Sequence, residues 1–276
     1  MLHDGKVSTP EAVEAVRLMA EEFGCRVVLL SNSSRRSGGA MGKIAGLGYR
    51  QEWFQGIVTS GELTWRRLEG RPDDFWRGLG TRCLHFNWAD RGAISLEGLG
   101  LTAVQEPEEA EFILAHGTEC LGGAEPRTLD IDGFLDILAR CSRVEGRRIP
   151  MVVANPDVVT VDGDGLAKMP GYLGQAYAAW GGEVVNMGKP AGVIYDEALA
   201  LLDMGPGEVL AVGDSIEHDI AGAQARGIHT LFVASGIHRA ETVGRDGELR
   251  LDEIQNLARQ LGCQRPPTYA CVALAP

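Results

Sequence analysis

Two acidic residues five positions apart, Asp214 and Asp219, are the first candidates for chemistry in this sequence. They follow the apolar run 209–212, which predicts a buried strand of a parallel sheet that ends at Gly213. Ligands of open α/β sheets bind at the carboxyl ends of the strands. Two carboxylates brought together there need a cation or a proton between them. The structural alternative is that Asp214 is a turn residue and Asp219 is the N-cap of the next helix.

Two other stretches place polar side chains at the ends of predicted structure. Ser31 and Asn32 follow the predicted strand 26–30, and a hydroxyl group with the backbone amides after it suits a phosphate. A plain Ser/Asn-rich turn explains them equally well. Lys189, in the sequence Gly-Lys-Pro, would neutralise a phosphate and a nearby carboxylate, although a solvated surface lysine is the common case. Together these groups describe a site for a phosphate and a hard divalent cation such as Mg²⁺, held by few protein oxygens and several waters.

The elements that must position these residues alternate between strands and helices. The rhythm begins with helix 11–23, strand 26–30, helix 40–47, strand 56–59 and helix 61–68, which is typical of a doubly wound sheet. Segment 71–169 has strands 112–116 and 151–154, helix 131–141 and a predicted hairpin, so we interpret it as an inserted α/β module. The rhythm resumes with helices 172–181 and 191–202, strand 209–212, a helix that opens at Asp219 and strand 230–233. The tail from Pro266 is predicted to be an extended strap.

Composition excludes several functional classes. The net charge of −12 argues against binding of a nucleic-acid backbone, although one site can still be locally positive. No apolar run approaches the roughly 20 residues that span a bilayer, and no signal peptide is recognisable, so neither nucleic acid nor membrane is an expected partner. The six cysteines are scattered. We interpret them as reduced thiols of a cytoplasmic protein, and a disulfide between Cys263 and Cys271 is the less favoured alternative.

The motifs LLSN, GKP and VGDSIEHD, in this order, resemble the second, third and fourth motifs of the haloacid dehalogenase-like (HAD) hydrolases. The segment with ANPD resembles the cap of subfamily IIA, the p-nitrophenylphosphatase and sugar-phosphatase-like branch. The implied fold is α/β: a Rossmann-like doubly wound parallel sheet, formed by residues 1–78 and 173–276, with an inserted α/β cap of type C2 over residues 79–172. The implied activity is that of a Mg²⁺-dependent phosphatase acting on a small phosphorylated metabolite, and the resemblance also admits a homodimer.

The resemblance assigns roles to individual residues. It implies that Ser31 binds the phosphoryl group with Asn32 beside it, that Lys189 stabilises the charge, that Asp214 ligates Mg²⁺ and that Asp219 supports the metal site. The resemblance also implies that the ANPD residues lie in the cap near the substrate; these are Asn155 and Asp157.

One element of the family pattern is not recognisable in the sequence. HAD phosphatases attack phosphorus with the first aspartate of a DxDGV-type motif on the central strand, and form an aspartyl-phosphate. By family spacing that nucleophile lies roughly four positions before Met1; a shifted alignment on Asp4-Gly5 would put Leu2 in its place and leaves no room for a strand. We therefore expect the chain as printed to be inactive, with a non-catalytic metabolite- or protein-binding module as the alternative. The strands ending at Leu30 and Val212 are expected to lie about 9–10 Å apart, or to have collapsed together.

Overall fold

A computed structural model describes Leu2 and residues 7–89, 91–144, 146–162 and 165–276. It divides the chain into two compact units. The first unit comprises Met1–Leu30, Gly38–Val58 and Lys189–Pro276, and the second comprises Ser31–Ser37 and Thr59–Gly188. Residues 1 and 3–6 lie outside the described residues, and so does the shifted alignment on Asp4-Gly5.

Strands of both units are short and mostly parallel. Fourteen strands lie within the described residues: β1 (Val28–Ser31), β2 (Gly56–Thr59), β3 (Arg82–Asn87), β4 (Thr102–Val104), β5 (Phe112–Ala115), β6 (Cys120–Leu121), β7 (Arg127–Thr128), β8 (Met151–Val153), β9 (Val159–Asp162), β10 (Gly165–Lys168), β11 (Val184–Asn186), β12 (Leu210–Gly213), β13 (His229–Val233) and β14 (Tyr269–Cys271).

Helices connect most of these strands. The described α-helices are α1 (Pro10–Arg17), α2 (Ser37–Gly46), α3 (Ser60–Gly70), α4 (Asp74–Gly78), α5 (Ile131–Cys141), α6 (Pro170–Ala179), α7 (Gly192–Leu202), α8 (Gly222–Gln224), α9 (Arg239–Thr242) and α10 (Leu251–Gln260). Two π-helical segments, Leu18–Glu22 and Ile216–Ala221, continue α1 and precede α8. Within the described residues, no helix is long and apolar enough to cross a membrane.

The first unit contains two small sheets. β1 pairs with β2, and β12, β13 and β14 form a parallel three-stranded sheet. Side chains on β1 and α2, including Leu29, Met41 and Ile44, form one apolar cluster. A separate cluster contains Ile220 and Phe232. The tail from Pro266 was expected to be extended, and this is confirmed. Its backbone pairs with β13, so it adds β14 to the sheet.

The second unit has a seven-stranded sheet in the order β11-β8-β5-β3-β6-β7, with β4 on β3. The pairs among β11, β8, β5 and β3 are parallel, whereas β6 pairs antiparallel with β3 and with β7. All four residues of β5 are buried, as expected for a parallel strand covered on both faces. Helix α5 covers the sheet with Phe134, Ile137 and Leu138, at helical spacing. The predicted hairpin is present as antiparallel β9 and β10.

These elements confirm the predicted α/β class, a Rossmann-like fold with a cap, but the units divide the chain elsewhere than the predicted boundaries. Helix α6 packs on β8 and β11, so residues up to Gly188 belong to the second unit. The predicted division into a core of residues 1–78 and 173–276 and a cap of residues 79–172 stays a prediction. Strand β11 was not predicted, because three residues between a helix and a glycine-rich loop give too short a pattern.

The strands that flank the predicted gap lie in separate sheets of the first unit. Strand β12 is the edge of its sheet, and in the described residues no strand pairs with its other side. Leu210, on this strand, is 44% exposed, which is unusual for the interior of a parallel sheet. The spacing of 9–10 Å between the two strands stays a prediction.

Candidate active site

The predicted site residues fall into two groups, each inside one compact unit. Lys189, Asp214 and Asp219 belong to the first unit. The second unit contains the other four, which are Ser31, Asn32, Asn155 and Asp157. That both groups meet at one rim stays a prediction, and the geometry of each group follows separately.

Asp219 and Lys189 form an ion pair. The Lys189 Nζ atom lies 2.6 Å from Asp219 Oδ1, and the side chains are only 17% and 13% exposed. The other carboxylate oxygen of Asp219 accepts a hydrogen bond from the backbone N–H of Ser215 at 3.0 Å. Burial by itself raises the pKa of Asp219, but the Lys189 ammonium and the Ser215 amide outweigh it and hold the pKa below its usual value. Asp219 is therefore a carboxylate that fixes the lysine.

The helix that carries Asp219 begins earlier than predicted. Its N-cap is Ser215, whose hydroxyl accepts from the backbone N–H of His218 at 3.1 Å. The expectation that Asp219 opens the helix is therefore wrong: Asp219 lies within the first turn and folds its carboxylate back onto the Ser215 amide. Gly213 makes this possible, because a Cβ atom there would lie 2.3 Å from the Asp219 side chain.

Asp214 lies directly after β12, at the carboxyl end of the strand, as predicted. Its Oδ2 atom accepts a hydrogen bond from the backbone N–H of Ile237 at 3.3 Å. The loop that follows β13 approaches this carboxylate closely, since a Cβ atom on Gly236 would lie 2.0 Å from the same oxygen. The loop after β13 thus fixes the Asp214 side chain.

Tyr195 also belongs to the first unit and supports the segment that carries Asp219. Its role was not predicted from the sequence. From α7 its hydroxyl donates a hydrogen bond to the carbonyl of His218, and burial raises its pKa far above the usual value. A tyrosine in an apolar helix face gives no signal of such a contact in the sequence. Its effect is to brace the π-helical turn that carries Asp219.

Asn32 and the ANPD segment contact each other in the second unit. The Asn32 Nδ2 atom donates to Asp157 Oδ1 at 2.8 Å, and the Asp157 backbone N–H donates to Asn155 Oδ1 at 3.1 Å. Asn32 and Asn155 are 7% and 5% exposed. Gly188 lies against Asn32, because a Cβ atom there would come within 2.4 Å of Asn32 Oδ1. The structure thus brings three predicted residues together as a hydrogen-bonded cluster; their contact with a substrate stays a prediction.

Ser31 begins a turn in which hydroxyl groups accept from backbone amides. Its Oγ atom accepts from the backbone N–H of Ser33 at 3.2 Å. Ser34 Oγ accepts from the indole N–H of Trp88 at 2.9 Å, and the Gly61 N–H donates to the Ser33 carbonyl at 3.0 Å. The turn 31–37 is therefore anchored on α3 and on the strand that precedes Trp88. None of these anchors was predicted, since they depend on contacts between distant segments.

Replacing Gly61 by alanine is expected to destabilise the second unit by about 1–3 kcal/mol. A Cβ atom there would lie 2.0 Å from the Ser34 carbonyl oxygen, so the turn 31–37 would have to move. Urea unfolding followed by circular dichroism measures the effect. Gly70→Ala, at the other end of the same helix, is the matched control, because a Cβ atom at Gly70 meets nothing within 4 Å. Equal stability of the two variants would contradict the proposed close approach.

The fold and the two residue groups together define a capped α/β protein with an acid–lysine pair at the carboxyl end of a parallel strand. The HAD-hydrolase-like family model matches residues 186–258, which include Lys189, Asp214 and Asp219. Human chronophin (Homo sapiens) is 25% identical over 256 residues, covering 87% of this chain and 80% of chronophin.

Solved structures share the fold over nearly the whole chain. A haloacid dehalogenase-like hydrolase from Brucella suis 1330 superposes with a TM-score of 0.72 and 25% identity, covering 99% of this chain and 92% of that one. The p-nitrophenyl phosphatase from Archaeoglobus fulgidus gives a TM-score of 0.65 and 24% identity, with 97% and 90% covered. The predicted resemblance is confirmed: in sequence and fold the chain is similar to the HAD hydrolases, and it shares its fold with the p-nitrophenyl phosphatase of subfamily IIA.

Proposed function

We propose that the protein is a Mg²⁺-dependent phosphatase of small phosphorylated metabolites. The observation that carries this proposal is the buried ion pair of Lys189 and Asp219, five residues after Asp214 at the carboxyl end of β12. A lysine held in place by a buried carboxylate is a preorganised positive charge, which is the kind of group that stabilises a transferring phosphoryl group. The fold shared with the p-nitrophenyl phosphatase from Archaeoglobus fulgidus supports the same interpretation.

A magnesium ion fits this donor set if it takes few protein ligands. In the described residues, no three His, Cys, Asp or Glu side chains are grouped to hold a metal. Mg²⁺ commonly keeps several waters and binds one or two carboxylates plus the substrate phosphate. Asp214 would hold the ion, whereas Asp219, bound to Lys189 and to Ser215, would support the site. When bound, the ion would neutralise negative charge on the phosphoryl oxygens.

The glycerol phosphate phosphatase from Mycobacterium tuberculosis gives a second reason to test for magnesium. It shares the fold with a TM-score of 0.64 and 22% identity, and its structure was solved in complex with magnesium. The shared fold therefore accommodates this ion in at least one phosphatase.

The other residues of the proposed site act on the phosphate. Ser31 and the amides of its turn would bind the phosphoryl oxygens, because hydroxyl and N–H groups donate to them. Asn32 would hold this turn against Asn155 and Asp157 in the loop that follows β8. The hydrogen bonds among these three residues would set the orientation of the turn. Cap closure would exclude water from the site.

The position of the nucleophile stays a prediction. By family spacing, the nucleophile would lie roughly four residues before Met1. The test compares the printed chain with an N-terminally extended version that carries an aspartate at that spacing. We expect the extended version to hydrolyse p-nitrophenyl phosphate with Mg²⁺ and to lose activity with EDTA, while the printed chain shows no turnover. An extended version without activity would count against phosphatase function.

The same assay distinguishes the alternative, a non-catalytic HAD-like module that binds a metabolite or a protein. Such a module would bind phosphorylated compounds, measured by calorimetry, without turnover in either version. A homodimer is a further proposal, tested by light scattering on the purified chain.

A further inference from the structure

We propose that Arg35 is a specificity-determining residue, which binds a second anionic group on the alcohol part of the substrate. The inference rests on the proposed function and narrows it. The substrate class would be phosphomonoesters that carry a carboxylate or a second phosphate besides the ester that is cleaved. The observations concern residues of the second unit alone.

The turn after Ser31 fixes where Arg35 begins. The backbone N–H of Arg35 donates to Ser33 Oγ at 3.3 Å, just as the N–H of Ser33 donates to Ser31 Oγ. On the other side, the hydroxyl of Thr59 donates to the Arg35 carbonyl at 2.7 Å. The backbone of Arg35 is therefore held on both sides, four residues beyond the proposed phosphate-binding serine.

Two neighbouring arginines, Arg36 and Arg66, share the carboxylate of Glu62. Arg36 pairs with Glu62 at 2.6 Å and stacks over the Trp65 ring, with 3.8 Å between the guanidinium carbon and the ring centroid. Glu62 also accepts from Arg66 at 3.2 Å. The guanidinium groups of these two arginines, above all that of Arg36, hold the pKa of Glu62 below its usual value, so it stays charged.

Arg91 also has a carboxylate partner. Its guanidinium lies 2.9 Å from Glu119 and 5.2 Å from the centroid of the Trp88 ring. Arg36, Arg66 and Arg91 thus each contact a carboxylate, although Arg36 and Arg66 share that of Glu62.

Arg35 differs from these three. Its side chain is exposed, and its guanidinium donates from Nη2 to the backbone carbonyl of Arg91 at 3.1 Å. Within the residues that the structure describes, no carboxylate pairs with Arg35. A guanidinium has five N–H donors, and this one is oriented by a single neutral acceptor. In a chain with a net charge of −12, it places a positive charge next to the turn that would bind the phosphate.

A guanidinium group that is held in one orientation and has N–H groups left to donate favours an anionic ligand. Its planar fork matches the two oxygens of a carboxylate or a phosphate, and such bidentate pairs are shorter and stronger than neutral hydrogen bonds. Because Ser31 and its amides would take the ester phosphate, the group facing Arg35 would be the second anion. Phosphate esters of uncharged alcohols would leave Arg35 unmatched.

The test uses two probes that differ in one group. 3-Phosphoglycerate carries a carboxylate where glycerol 3-phosphate carries a hydroxymethyl group. Calorimetric affinities of both are measured for the printed chain with Mg²⁺, for Arg35→Ala, for Arg35→Lys and for the control Arg66→Ala. We expect the chain to prefer 3-phosphoglycerate, Arg35→Ala to lose about tenfold for that ligand alone, and Arg35→Lys to recover part of it. Arg66→Ala should leave both affinities unchanged.

Each other outcome has a defined meaning. If glycerol 3-phosphate binds as tightly as 3-phosphoglycerate, or if Arg35→Ala weakens both ligands equally, the second-anion role is wrong while the proposed function stands. If neither ligand binds the unmutated chain, the proposed phosphate site itself is contradicted, and the role of Arg35 with it.

Discussion

Replacing Lys189 by methionine is expected to lower the free energy of unfolding by about 3–5 kcal/mol. The substitution removes the partner of a carboxylate that is only 13% exposed, and leaves the Ser215 amide to compensate the charge of Asp219. The loss of a buried charge partner costs more than the pair itself contributes, because the remaining carboxylate stays desolvated. Urea unfolding at pH 7, followed by circular dichroism, measures the change.

Two controls separate this effect from a general loss of positive charge. Lys189→Met combined with Asp219→Asn should be more stable than Lys189→Met alone, since the amide oxygen of asparagine can still accept from Ser215. Arg140→Met removes an exposed cation from Glu106 and Glu108, where 47% or more of each side chain is accessible, and should cost no more than about 1 kcal/mol. If Lys189→Met cost as little as Arg140→Met, the ion pair would not be buried in solution.

Lowering the pH from 7 to 4 is expected to destabilise the second unit through His85 and His116. His85 lies on β3 and His116 follows β5 directly; each is 3% exposed, and His85 Nε2 lies 3.0 Å from His116 Nδ1. Burial lowers the pKa of His85 to about 4 and, together with the charge of His85, also lowers that of His116. In the neutral pair one nitrogen donates and the other accepts, whereas two imidazolium rings would oppose N–H to N–H.

The direction of this pH effect on stability follows from proton binding in the folded and unfolded chains. The unfolded chain protonates a histidine near pH 6.5, and the folded chain protonates His85 only near pH 4. Stability is therefore fully present above pH 6.5, falls as the pH drops towards 4, and levels off below it. For His85 alone the loss is about 3 kcal/mol.

Unfolding free energies between pH 7 and 4, measured for the natural chain and for His85→Gln, test this account. The variant should lose much of the pH dependence, because glutamine does not titrate. His229→Gln, which replaces an exposed histidine, is the control and should follow the natural chain. An unchanged pH profile for His85→Gln would contradict the assignment.

The fold class was readable from the order of elements because helical and strand periodicities alternate clearly. Helix 131–141 was predicted to the residue, since its apolar side chains recur on one face. The start of the helix before Asp219 was not, because Ser215 and Asp219 are both good cap residues and only the tertiary fold decides between them. Strand β11 and the pairing of the tail were missed because each is three residues long.

The sequence by itself determined the family resemblance, the order of the motifs and the candidate residues for binding a phosphate and a metal, since these depend on residue types and local spacing. Only the tertiary structure decided which groups are already engaged. It paired Lys189 with Asp219 and Asn32 with Asp157, and among the described residues it gave Arg35 no carboxylate partner. The physical reason is that charge compensation and burial depend on segments that are distant in the chain, and a linear pattern carries no record of them.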